Sequence, residues 1–217
     1  MTMKSFLIIG MGRFGSKLAA DLMERGNDVM IVDRDEEIIN ELSPRFTNAY
    51  IGDCTNADAL TGLGVWTFDA VVVAIGDDFQ SSLEITALAK ELGAKRVIAK
   101  ACRDIQAKFL LRNGADEVVY PDRDMAAKLS VKLHAQNIFD YVEISKDYAI
   151  YEISVPAPWV GKSLRENDIR NKYGVNILAI RDGDRIDPLP SPDFVFTADD
   201  HVFVIGNEAT VQALSDK

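Results

Sequence analysis

The sequence predicts an α/β fold: a doubly wound parallel sheet followed by a second, smaller α/β domain. Three observations carry this. Apolar runs of strand length alternate with helical segments through the first 122 residues. The stronger runs are apolar on both faces, as strands covered by helices on both sides are. From Tyr141 the pattern changes to one-sided alternation. The 217 residues suffice for one ordinary domain and a small one, and 47% of them are apolar, so a sizeable core is available.

The expected strands of the first part are residues 6–9, 29–32, 49–51, 70–75, 97–99 and 118–120. Helices are expected at about 14–25, 36–42, 57–62, 79–92 and 105–113. Asp35 can cap the second, with Glu36 and Glu37 favourable in its first turn, and Asn56 can cap the third. Gly26, Gly93 and Gly114 fall just past helix ends, where a left-handed residue is needed. Right-handed crossovers then give a doubly wound sheet. A further helix at about 123–136 carries Met125, Leu129 and Leu133 as an apolar stripe, widened by Val131, Ile138 and Phe139. That much apolar surface asks for a partner, either the next domain or another chain.

In the second part, Ala149, Tyr151, Ile153 and Val155 alternate with Ile150, Glu152 and Ser154, which reads as a strand covered on one face. Pro156 and Pro158 end it. A short helix is expected over 164–172, closed by Gly174, then strands at 176–180 and 201–205 joined by the turn-rich "RDGDRIDPLPSPDF". A last helix is expected over 208–215. The expected division is 1–122, a crossover helix and linker over 123–140, and a C-terminal domain over 141–217.

The chemistry concentrates in the first part. Gly10-Met-Gly12-Arg-Phe-Gly15 follows a strand and opens a helix. Gly10 allows the tight turn, Gly12 lets phosphate approach, and Gly15 permits close helix packing. Asp33, eighteen residues after Gly15, ends the next strand where a carboxylate takes ribose hydroxyls. This is a Rossmann-like pattern, and the carboxylate disfavours a 2′-phosphate. Arg34 weakens that exclusion unless it is a solvated loop residue. Arg13 and Phe14 lie within the glycine loop. A helix N-terminus already favours phosphate, so the guanidinium of Arg13 suits a triphosphate, or a phosphate on a neighbouring subunit; the alternative is a surface arginine paired with an acid.

"GDCT" (Asp53, Cys54) and "AIGDD" (Ile75, Gly76, Asp78) fall at the carboxyl ends of strands three and four, the edge where nucleotides bind. Asp53 and Asp78 also suit helix capping. Lys100 ends strand five at the same edge and suits phosphate contact. Asp122 and Asp124 follow strand six, where capping of the next helix is expected of at least one; a cation there is the minority reading. Cys54 reads as a small packing residue. His134 and His201 read as structural.

Composition excludes several classes. A net charge of −10 and a pI near 4.7 argue against nucleic acid and against docking on anionic lipid. No apolar run approaches the ~18 residues of a membrane span, and no secretory signal is read at the N-terminus. Two cysteines make neither a metal framework nor a disulfide scaffold and fit a reducing compartment. A hydride-transfer enzyme needs a base presented by a second domain. The second part has one histidine, in an expected strand, and no Ser-His-Asp, Cys-His or metal-ligand constellation. The expectation is therefore a sensor and not an enzyme. The alternatives are a small NAD(P)-dependent oxidoreductase and an NAD-binding redox sensor module.

The order "IIGMGRFG…VDRD…GDCT…VVVAIGDDFQSS…VIAKA…GADEVVYPDRDMA" resembles the nucleotide-binding domain of Trk/Ktr-type potassium-uptake regulatory subunits, the RCK domain, and "YGVNILAIRDGD…FTADDHVFVIG" resembles its C-terminal companion. The single copy of each domain is similar to the Ktr arrangement. The resemblance implies a cytoplasmic, peripheral subunit at the inner face of the cell membrane. Dimers would assemble into an octameric ring under a potassium channel or transporter, with no membrane insertion of their own. It implies ATP, ADP or NAD(H) at the glycine edge. Arg13 would reach phosphate, Asp33 take ribose, and Lys100 match the family's strand-five lysine. Asp122 matches a glutamate that in some members helps bind Mg or Ca between subunits, with a shorter side chain here. Some members bind cyclic di-AMP between C-terminal domains; Arg170 matches an arginine used there, whereas a paired apolar position reads Leu164-Arg165.

Overall fold

The structure is a computed structural model and describes residues 3–134, 137–145 and 147–215. The chain divides into two compact units, Met1–Arg123 and Asp124–Lys217.

The first unit holds six parallel strands, β1 (Ser5–Ile9), β2 (Asp28–Asp33), β3 (Asn48–Ile51), β4 (Ala70–Val73), β5 (Val97–Lys100) and β6 (Glu117–Val119), in the order β3-β2-β1-β4-β5-β6. Five helices alternate with them: α1 (Arg13–Glu24), α2 (Glu36–Leu42), α3 (Ala57–Leu63), α4 (Phe79–Glu91) and α5 (Asp104–Arg112). The two-residue period of a strand sends successive side chains to opposite faces. Leu7 and Ile9 therefore pack with Leu60, Ile85, Ala89 and Leu110 from α3, α4 and α5. Ile8, between them, packs on the other face with Ala19, Ala20 and Ile39 from α1 and α2. This is the doubly wound sheet the two-sided apolar runs predict. Its order reverses at β1, so the loops after β1 and β4 diverge and leave a crevice at the carboxyl edge.

Asp35 caps α2 through the amides of Glu37 and Ile38, and Asn56 caps α3 through that of Asp58. One expectation changes here. Helix α6 (Pro121–His134) begins at Pro121, two residues early, because proline suits the first helical position. Asp122 and Asp124 thus lie inside its first turn and are not caps. The expected residues 135–136 of this helix lie outside the described residues.

The second unit contains a five-stranded antiparallel sheet, β7 (Ile138–Glu143), β8 (Ala149–Ser154), β9 (Asn176–Asp182), β10 (Arg185–Asp187) and β11 (His201–Gly206), in the order β10-β9-β11-β8-β7. Short helices α7 (Leu164–Asn167) and α8 (Ile169–Tyr173) and the last helix α9 (Glu208–Ser215) complete it. Trp159, Phe196, Ile153, Val202, Val204, Val211 and Leu214 form its core.

Three readings are corrected. Ile138 and Phe139 do not extend the apolar face of α6; they begin β7, whose partner is β8. The single helix expected over 164–172 is two, broken at Asp168, which takes φ +46°. The connection read as turns contains β10, which closes a hairpin on β9.

Candidate functional site

A cleft of about 430 Å³ opens at the carboxyl edge of the first sheet. Five strand-end loops supply it: Gly10, Gly12, Arg13 and Phe14 after β1; Asp33, Arg34 and Asp35 after β2; Gly52, Asp53 and Cys54 after β3; Ala74 to Asp78 after β4; Lys100 and Cys102 at the end of β5. Asp122, from the first turn of α6, completes it. Every residue expected to hold a nucleotide at the glycine edge lines this cleft except Gly15, which is buried beneath the loop; of the two candidates after β6, Asp122 lines it and Asp124 does not.

The three glycines of the loop differ. Gly10 has φ +95°, and a Cβ there would stand 2.8 Å from Ile75 Cγ1. A Cβ on Gly15 would stand 2.0 Å from the carbonyl oxygen of Gly10. A Cβ on Gly12 would meet no protein atom within 4 Å, so the open side of the loop is free to receive a ligand. Gly12 is also the N-cap of α1 and offers no capping side chain, and no acid sits in that helix's first turn. The amides there are unsatisfied donors, and the helix end favours an anion. Arg13, exposed at the same helix start, has no acid within ion-pairing distance among the described residues.

Asp33 is oriented by two backbone amides. Met11 N–H donates to Oδ2 at 2.6 Å and Asp35 N–H to Oδ1 at 3.0 Å. Each oxygen keeps a further lone pair for a ligand hydroxyl. Asp53 accepts from the amide of Thr55 at 3.0 Å and its hydroxyl at 2.8 Å. Those bonds, the amide first, hold its carboxyl below the ordinary range. Asp78 caps α4, accepting from the Ser81 hydroxyl at 2.7 Å and amide at 3.1 Å, and is likewise lowered, chiefly by the hydroxyl. Both stay ionised at neutral pH. Arg34 is exposed, as the solvated-loop reading has it, and its guanidinium lies 3.6 Å from the Asp78 carboxylate without a hydrogen bond.

Lys100 is largely covered. Its ammonium lies against Gly76, where a Cβ would approach within 3.1 Å, and 3.8 Å from the Asp122 carboxylate. It is thus a cation facing the cleft with one exposed acid near it. The same pair speaks to the expected Mg or Ca. Among the described residues no group of three ligating side chains could hold a metal ion. One carboxylate beside an ammonium does not fit a divalent cation within a single chain.

Burial, followed by the charges of Asp53 and Asp33, pushes the Cys54 thiol up to about 12. It is inert, as the packing reading has it. Neither histidine lines the cleft. His201 Nδ1 instead lies 3.0 Å from Glu152 Oε1 in the second unit, where Arg181 Nε approaches the same carboxylate at 3.2 Å, off the hydrogen-bonding angle. This ion cluster was not legible in the sequence, because its members come from three strands whose pairing is a tertiary outcome.

The second unit has its own cavity, of about 570 Å³, with Leu164, Arg165, Ile169, Arg170, Asn176 and Leu189 in its wall. It is larger than the first cleft.

The family follows from comparison. The chain matches the TrkA-N domain over residues 6–121 and the TrkA-C domain over residues 148–217. It belongs to this TrkA-N/TrkA-C family of RCK-type subunits. It is 39% identical over 204 residues to Ktr system potassium uptake protein C of Bacillus subtilis (strain 168), which covers 94% of this chain and 92% of the relative. It is 32% identical over 214 residues to Ktr system potassium uptake protein A of the same organism, covering 99% and 96%. Among solved structures, the GsuK channel bound to NAD superposes with a TM-score of 0.69 at 20% identity over 98% of this chain. This chain spans only 39% of that one, and the likeness is one of fold. No helix among the described residues is long and apolar enough to cross a membrane.

Proposed function

We propose that this chain is a nucleotide-sensing regulatory subunit of a potassium-uptake system, acting on a membrane partner through a ligand-dependent change in the shape of an assembly. The carrying observation is the open, donor-rich loop at Gly12, with Arg13 beside it unpaired among the described residues and Asp33 held by two amides where a ribose would reach it. The relatives named Ktr system potassium uptake proteins support the potassium role, and the NAD-bound channel of like fold supports a dinucleotide or adenine nucleotide at this edge.

The residue roles follow from position. The amides at Gly12 and the start of α1 receive phosphate; Asp33 accepts from ribose hydroxyls; Lys100 meets phosphate in competition with Asp122. Arg13 counts phosphates, reaching the terminal one in its own subunit or a neighbour's. Such a contact is a difference in affinity between two shapes of the assembly, which is what a ligand needs to shift their balance. A coupling of ~1–3 kcal/mol is ordinary for such control. The first unit senses, α6 connects, and the second unit completes the subunit. The assembly is a homo-oligomeric ring, an octamer built from dimers, peripheral to the cytoplasmic face of the membrane. No oxidoreductase step is assigned.

Arg13→Ala is expected to narrow the ratio of ATP to ADP affinity measured by calorimetry. An unchanged ratio refutes the phosphate-counting role. Loss of all heat from wild-type protein with millimolar ATP, ADP and NADH refutes the nucleotide reading itself.

A second ligand is favoured by one observation: Arg170, the position that resembles a cyclic di-AMP contact of some members, lines the 570 Å³ cavity, together with Leu164 and Arg165, which stand where those members have a paired apolar position. If that cavity takes a cyclic dinucleotide, Arg170→Ala weakens cyclic di-AMP binding about tenfold or more in equilibrium dialysis, the loss expected of a charge-assisted phosphate contact.

A further inference from the structure

The carboxylate that ends β2 reaches into the glycine loop. Met11 is buried, and a buried amide without an acceptor is costly. The acceptor for the Met11 N–H is Asp33 Oδ2, at 2.6 Å, from a loop 22 residues along the chain. The residue before it, Gly10, takes φ +95°, and its N–H donates to the Val32 carbonyl at 2.8 Å. Two successive amides of the loop after β1 are thus fastened to the end of β2. Asp33 holds two more segments. Its Oδ1 accepts from the Asp35 amide at 3.0 Å, and its backbone carbonyl from the Gly52 N–H at 2.9 Å. The open donors, at Gly12 and the first turn of α1, begin at the very next residue after Met11. A glycine-rich loop has many conformations available to it, so what fixes it decides where those donors point.

We propose that Asp33 is a positioning residue for the phosphate-binding loop. Its bond to Met11 aims the amides of Gly12 and the start of α1 at one point, and it withdraws the Met11 amide from the set that meets phosphate. This rests on the nucleotide reading above. It is separate from the ribose role, which uses the remaining lone pairs of the same carboxylate.

The test uses the full chain with ATP and with 2′,3′-dideoxy-ATP, which lacks the ribose hydroxyls. Asp33→Ala removes both side-chain bonds. A carboxylate that served the ribose alone would leave dideoxy-ATP affinity unchanged in D33A. It would even raise it, because a negative charge is withdrawn from beside the phosphates. Positioning predicts the opposite sign. The dissociation constant of dideoxy-ATP, read by calorimetry, is expected to rise about fivefold or more in D33A, as the loss of a charge-assisted hydrogen bond would give. An unchanged or lower constant overturns the proposal. A second measurement needs no variant. Hydrogen exchange of the ligand-free wild-type chain, followed residue by residue by NMR, is expected to protect the Met11 amide at least about tenfold more than those of Gly12 and Arg13. Equal protection overturns the proposal even where D33A fails to fold. If Met11 is protected but the wild-type chain binds neither ATP nor dideoxy-ATP, the nucleotide reading has failed. The tether then stands as a structural contact, and the positioning role falls with that reading.

Discussion

Gly12 and Gly15 stand three residues apart in one loop and meet opposite demands. Gly15 is held to glycine by the fold, since a methyl there would be driven into a backbone oxygen. Gly15→Ala is expected to destabilise the chain by at least ~1–3 kcal/mol, as overpacking does, read in a denaturant titration. Gly12 is held to glycine by nothing in the protein: its φ is −65° and its open side is empty. Gly12→Ala is expected to fold with a loss of under ~1 kcal/mol, a weaker cap, while adenine-nucleotide affinity falls about tenfold or more, equivalent to ~1.4 kcal/mol. Equal binding by wild type and G12A would remove Gly12 from the ligand's path. At this scale the sequence was informative where spacing alone fixes a residue's place, as at Gly10 and Gly15 in the loop and Asp33 at the end of β2. It was silent on Glu152. Strand alternation assigned that residue to the outer face, yet it is buried by Arg181 and His201 from strands far along the chain. The sequence also left Arg34 between two roles, because its ion partner comes from another loop.

Asp116, just before β6, ties two elements together. Its carboxylate accepts from Lys90 of α4 at 2.7 and 2.8 Å and from the Val97 amide of β5 at 2.7 Å. The Lys90 bond, ahead of the Val97 amide, lowers its pKa below the ordinary 3.8. Between the lowered folded value and 3.8 the unfolded chain binds more protons than the folded one, so stability rises with pH there. The contribution is complete above the ordinary value and is lost as pH falls through the lowered one. The side chain is 38% exposed, so solvent screening keeps the contribution to about 0.5–1 kcal/mol. Asp116→Asn is therefore expected to lower the midpoint of unfolding by a few degrees at pH 7, and the gap from wild type is expected to close at acid pH. A gap that stays constant with pH would mean that Asp116 acts by packing and not by charge. The elements the sequence placed best are two helices: α2, with its expected Asp35 cap, and α9 match the expected residues end to end. It misplaced those whose local pattern is ambiguous. Ile138 and Phe139 continue an apolar helical stripe as readily as they start a strand, and only pairing with β8 decides. Asp168 gives no local sign of the left-handed turn that splits α7 from α8.

For the whole molecule, the prediction concerns assembly. A sensor that works by changing the shape of a ring must form one. Light scattering of the purified chain at micromolar concentration is expected to give an octameric mass with ATP, and ADP is expected to alter the scattering profile of that ring. A monomer with every nucleotide would sink the assembly reading. The exposed Met125, Leu129 and Leu133 on α6 are consistent with a surface that other copies cover, whereas Val131 on the same helix packs against the second unit's core.

By itself the sequence determined the class of fold, the edge of the sheet where the cleft opens, and most of the residues that line it. These depend on short-range rules: apolar period, cap residues, and glycines at fixed offsets from a strand. Only the tertiary structure decided the strand order that opens the crevice, the antiparallel sheet of the second unit, and the neighbours of each charge. Those depend on contacts between segments far apart in the chain, and a charged residue's role is fixed by the charges folding brings beside it. Lys100 against Asp122 and Arg34 against Asp78 are set that way.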